Sequence, residues 1–100
     1  MTEAPARYHR TDTVIPRKVA GELVLVPADV TSVYEANRRA ELYILNGTGE
    51  HLWDLLALPC TVDHLADELV REYEVTDTAA RADSRNFIDA MLAIGAVTQD

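Results

Sequence analysis

Three histidines (His9, His51, His64) and one cysteine, Cys60, are the side chains of this chain best suited to ligate a metal or to pair as base and nucleophile. Only Cys60 and His64 stand four residues apart, the spacing that one helical turn brings together. That supplies two ligands where a structural zinc ion takes four. As nucleophile and base the pair would also need an orienting third group and an oxyanion hole, and the sequence marks neither. The expectation is a core cysteine, no metal, no cofactor and no enzyme activity. Asp67-Glu68 and Glu72 with Glu74 alternate with apolar positions and belong to a solvated helix face rather than to a carboxylate pair. Asn46-Gly47-Thr48 fits a glycosylation sequon but reads more simply as a turn and a helix cap. Gly47-Thr48-Gly49 has too few glycines, and no lysine, for a phosphate loop.

The elements that carry these residues fall into two blocks. Val14 to Val19 and Glu22 to Val26 are short β-favouring runs separated by Ala20-Gly21, a two-residue hairpin connection. Residues 28–40 form a polar loop with at most one helical turn. Glu41-Leu42-Tyr43-Ile44-Leu45 reads as a third strand closed by Asn46-Gly47, and the alternation of Tyr43 with Leu42 and Ile44 puts one face outside the main core. From Thr48 the apolar period changes from 2 to 3.6 residues. Thr48 is the expected cap of a short helix carrying Leu52, Trp53, Leu55 and Leu56, with Trp53 as a core anchor. Thr61 caps a second helix, whose stripe is Val62, Leu65, Ala66, Leu69, Val70 and Tyr73. A third helix starts near Asp77, presents Ala80, Ser84, Phe87, Ile88, Met91 and Leu92 on one side, and stops at Gly95. The predicted order is βββααα, one α+β domain over residues 13–98 behind a flexible arm at residues 1–12.

Charge excludes several partners. The 100 residues hold 9 Lys and Arg against 17 Asp and Glu, a net charge of −8 that opposes binding to nucleic acid or to an anionic membrane. Residues 41–100 contain 12 of the acidic side chains and only Arg71, Arg81 and Arg85 as bases. No apolar run, Leu23 to Val26 included, approaches the ~20 residues of a spanning helix. The polar first residues lack a secretory signal, so the expected location is the cytoplasm.

Tyr43-Ile44-Leu45-Asn46, Gly49, Leu52-Trp53, Leu55-Leu56, Thr61-Val62, Leu65-Ala66, Leu69, Asp83, Phe87-Ile88, Leu92 and Gly95 together resemble the PqqD family of peptide chaperones. The resemblance implies a winged helix-turn-helix fold, a three-stranded antiparallel sheet followed by three helices. It also implies a recognition element for ribosomally synthesised and post-translationally modified peptides, the RiPP recognition element of natural product biosynthesis. In the family, the leader of a precursor peptide adds as a strand beside the third strand, in a cleft closed by the third helix. The complex is then presented to a modifying enzyme, often a radical SAM enzyme. Carried onto this chain, the implied peptide-binding residues are Glu41, Leu42, Tyr43, Ile44, Leu45 and Asn46 on the strand and Arg81, Ser84, Arg85, Ile88 and Leu92 on the helix. Arg81 and Arg85 lie one turn apart and would either meet an acidic leader residue or form an ordinary surface pair.

This chain departs from the family pattern at Leu58-Pro59-Cys60, at Ser84, where a β-branched apolar residue is usual, at Ala96, and in the length of the loop over residues 28–40. Two other functions fit the same fold. One is a DNA-binding transcription regulator, disfavoured because residues 46–74 hold seven acidic side chains and one base. The other is a small accessory subunit of an enzyme.

Overall fold

The computed structural model describes residues 4–30, 33–38 and 42–100. Among these residues, five short strands and four helices appear in the order β1 (Tyr8–Arg10), β2 (Val14–Val19), β3 (Glu22–Pro27), α1 (Val33–Arg38), β4 (Tyr43–Leu45), α2 (Gly47–Leu55), α3 (Val62–Glu72), α4 (Asp77–Ala93) and β5 (Val97–Gln99). Strands β2, β3 and β4 form an antiparallel sheet in that spatial order, so β3 is central and β4 is an outer strand. The expected α+β architecture, three strands leading into three packed helices, is present, in a winged-helix-like arrangement.

The β2–β3 hairpin turns on Ala20 (φ 53°) and Gly21 (φ 85°), with Val19 opposite Glu22. Two consecutive positive φ values are what a tight primed turn requires, and they match the right-handed twist of the flanking strands. Along β4, Leu45 is buried against the helices while Ile44, opposite Val24, points to the other face and is 54% exposed. That outer face is not bare. Val24, Val26 and Ala36 of α1 are buried, so the segment expected to be mostly loop supplies a helix that shields part of the sheet.

The main core lies between the inner face of the sheet and the helices. Leu25, Leu52, Leu56, Leu65, Leu69, Ile88 and Met91 are almost fully buried there. Trp53 is the core anchor expected of it, with its indole N–H unpartnered and Arg10 lying 5.4 Å from the ring centroid. Cys60 is buried and its thiol donates to the Leu55 and Leu58 carbonyls at 3.1 and 3.2 Å. Burial pushes that thiol's pKa up, away from the thiolate that nucleophilic or metal chemistry needs.

Two local readings are corrected. Helix α2 starts at Gly47, capped by Asn46 rather than by Thr48. The Asn46 Oδ1 accepts the Gly49 N–H at 2.7 Å, so a good cap two residues earlier takes precedence and leaves Thr48 inside the first turn. Residues 8–10 are not part of a flexible arm. They form β1, which pairs with β5 (Tyr8 with Gln99, His9 with Thr98, Arg10 with Val97), and the Tyr8 and Cys60 backbones exchange bonds of 2.8 and 2.9 Å. The physical reason is burial: Tyr8 is only 4% exposed and joins the main core. Strand β5 itself was unforeseen.

The caps of α3 and α4 are ordinary and strong. Thr61 accepts from the His64 N–H at 3.0 Å, and Thr76 accepts from the Ala79 N–H at 3.1 Å. Helix α4 ends in a Schellman turn. Gly95 (φ 74°) donates to the Leu92 carbonyl, and Ala96 donates to the Met91 carbonyl. The Thr11 and Thr13 hydroxyls donate to the Gly95 carbonyl at 2.7 and 2.6 Å, fastening this end of α4 to the start of β2.

Candidate functional site

The helix α4 has three rows of side chains, and their order around the axis decides where a site can be. Ala80, Ser84, Ile88 and Met91 point into the core and are fully buried. Arg81 and Arg85 lie on one flank, and helical geometry places Leu92 with them. Asp83, Asn86, Phe87 and Ala90 lie on the other flank, facing β4.

A groove runs between β4 and that second flank. At one end it is lined by Tyr43, Asn46 and Thr48 on the β4–α2 side and by Asp83, Asn86 and Phe87 of α4. At the other end Leu42 and Tyr43 face Ile94, with Val14, Leu25 and Pro27 beneath. Tyr43 borders both ends and is 36% exposed. The chain direction of β4 thus opposes that of α4 along the groove, since Leu42 lies by Ile94 and Asn46 by Asp83. The two ends measure about 390 and 380 Å³ and are open to solvent, which suits side chains of an extended segment better than an enclosed small molecule. One wall is the outer margin of β4, beside which no further described strand pairs. An outer strand leaves alternate N–H and C=O groups free to accept another strand.

The tight junction from β4 into α2 fixes this wall. A side chain at Gly49 would come within 3.3 Å of Asn46 Oδ1 and 3.5 Å of Leu45 Cβ, so the helix can start directly against the strand. With Leu45 in the core and Asn46 at the cap, the strand cannot slide without breaking both.

Of the eleven residues expected to bind, the structure brings Leu42, Tyr43 and Asn46 into the groove. Ile44 is exposed on the opposite face of the same strand, and Leu45, Ser84 and Ile88 are core residues. Glu41 lies outside the described residues. Arg81 is held by Asp77 at 2.9 Å and by Asp63 of α3. Arg85 donates to Asp89 at 2.9 Å and to the Tyr8 hydroxyl at 3.4 Å, so both guanidiniums are engaged on the flank away from the groove. Their pKa values are raised, for Arg81 first by the Asp77 bond and for Arg85 first by the Tyr8 bond. Leu92 is partly exposed on that flank and is absent from the groove lining.

The residues missed from sequence are Asp83, Asn86, Phe87, Ala90 and Ile94. A signal for them existed. Asp77–Arg81 and Arg85–Asp89 are both i, i+4 pairs, which mark a self-neutralised surface flank. Asp83 is left without such a partner. Among the described residues no group of three or more His, Cys, Asp or Glu side chains could hold a metal ion, and no helix is long and apolar enough to cross a membrane.

A three-stranded sheet whose β4 margin is open, set against a long helix across a shallow groove, defines the class: a winged-helix-like fold arranged to take up an extended segment. The family described as "Coenzyme PQQ synthesis protein D (PqqD)" matches residues 22–97, and the chain belongs to that family. A solved structure described as "TbiB1 in Complex with the TbiA(beta) Leader Peptide" superposes with a TM-score of 0.68 at 20% sequence identity. The match covers 89% of this chain and 93% of that one. At that identity the likeness is one of fold. No curated protein matches the chain.

Proposed function

We propose that this protein is a peptide-binding chaperone that takes up the leader of a ribosomally made precursor peptide as an added strand beside β4 and presents it to a modifying enzyme. The observation that carries this reading is the open margin of β4 facing the α4 groove. Membership of the PqqD family supports it, as does the fold shared with a protein solved in complex with a leader peptide. The chain's role is binding and positioning, with the chemistry left to its enzyme partner, a radical SAM enzyme or another peptide-maturation enzyme of the cytoplasm.

About four to six backbone hydrogen bonds, each contributing roughly 0.5 to 1.5 kcal/mol, together with one or two buried apolar side chains, offset the cost of association and ordering. The resulting Kd lies between about 1 μM and tens of nanomolar. Titration of isotopically labelled protein with synthetic leaders from short reading frames beside the gene tests this. Amide shifts should concentrate at residues 42–46 and 83–94. Shifts confined to α3, or none with any such leader, would overturn the reading.

A further inference from the structure

The groove is uneven in charge. Its Ile94 end is apolar, while its α4 N-terminal end presents Asp83 beside Asn46 and Asn86. Among the described residues, Asp83 is the only formally charged side chain lining either end, and none of them bonds to it. The other two carboxylates of α4, Asp77 and Asp89, are both taken by arginines. The helix therefore spends its arginines on the far flank and leaves one uncompensated carboxylate on the groove flank. With a chain charge of −8, an acidic peptide would be repelled both at long range and on contact.

Resting on the strand-addition reading above, we propose that the groove selects leaders carrying a lysine or arginine that meets Asp83 and an apolar side chain that fills the Leu25–Ile94 end. Geometry also sets their spacing. From Asp83 to Ile94 the helix advances about 16 Å at ~1.5 Å per residue. An extended strand covers that length in about five residues at ~3.3 Å each. Only every second side chain of an added strand points into the groove, so a span of about five residues places the cation and the apolar anchor four or six residues apart. An antiparallel strand has the cation first, and a parallel one has it second.

Selection of random twelve-residue peptides displayed on their own messenger RNA, against the whole chain, tests the proposal. Enriched peptides should carry Lys or Arg four or six residues from Leu, Ile, Val or Phe, in either order. For a synthetic consensus peptide, Asp83→Lys should raise Kd about five- to tenfold, and changing the peptide's Lys to Glu should recover binding to that variant. Arg85→Glu should leave Kd within about twofold, as expected of a surface site off the interface. Peptides that shift amides 42–46 and 83–94 but lack a basic residue, or bind Asp83→Lys unchanged, would overturn the charge assignment and leave strand addition standing. Enriched peptides that leave those amides unmoved would overturn both.

Discussion

At one margin of the three-stranded sheet β2 runs Val-Ile-Pro-Arg-Lys-Val, and at the other β4 runs Tyr-Ile-Leu. Both are outer strands, yet one carries the means by which proteins discourage strand pairing and the other carries none. Pro16 survives inside β2 because an outer strand tolerates a missing N–H on its open side, and Arg17 and Lys18 make a foreign strand shed its water around two charges. Along β4 there is no proline and no charge, and α4 stands opposite to receive side chains. An exposed margin is a hazard in a small domain. On the proposed reading, leaving only one of the two unguarded, and walling it with a helix, converts the hazard into a selective binding surface.

Substitutions that exchange the character of the two margins test this contrast. The largest effect is expected from Ile44→Pro, which removes a donor from β4 and fixes its backbone. Leader binding should fall by more than about tenfold. Circular dichroism of the same sample must show the fold retained, and unchanged binding by a folded variant would remove β4 from the site. Asn46→Ala deletes the cap that locks β4 to α2, and denaturant melts should report a loss of about 1 kcal/mol. Ser84→Ala works in the opposite direction. The Ser84 hydroxyl is fully buried with no partner, and its removal should raise stability by about 1 kcal/mol without changing leader affinity, since this row of α4 faces the core.

A smaller gain is expected on the guarded side of the sheet. Ala20 sits at φ 53°, a conformation that costs an L-residue with a β-carbon about 1 kcal/mol, and Ala20→Asn should recover part of that in thermal unfolding. The smallest effect belongs to Pro16→Val with Lys18→Thr, which strips the guard from β2. Leader affinity should stay the same while sedimentation at high concentration reveals weak self-association. A wholly monomeric double variant would mean that β2 is protected by its shape rather than by its sequence.

The parts legible in the sequence were those whose pattern closes within a short window. Strands β2 and β3 announced themselves by β-branched runs around Ala20-Gly21, and α3 by an unbroken apolar stripe from Val62 to Val70. The strands β1 and β5 are three residues each and pair across almost the whole chain, and no local period distinguishes Tyr-His-Arg or Val-Thr-Gln from loop. The strand wall of the groove was readable because Leu42 to Asn46 is a contiguous motif. The helix wall was not. Which flank of α4 meets β4 depends on how the helix is rotated against the sheet, and the buried Ser84 in the core row obscured that rotation because a serine reads as a surface residue. The regularly spaced arginines pointed to the flank away from the groove, although the aspartates four residues away already accounted for them.

The pairing of β1 with β5 also shapes how the chain folds as it is made. Tyr8 is joined to the growing chain well before its strand partner Gln99. At about 5 to 20 residues per second, synthesis separates the two by roughly 5 to 20 s. The β2–β3 hairpin, whose residues pair across a two-residue turn, closes within about 10 μs of becoming free. The sheet therefore has ample time to organise while the ring of Tyr8 waits in water, and β1 and β5 meet last, like a clasp shut on a body already assembled.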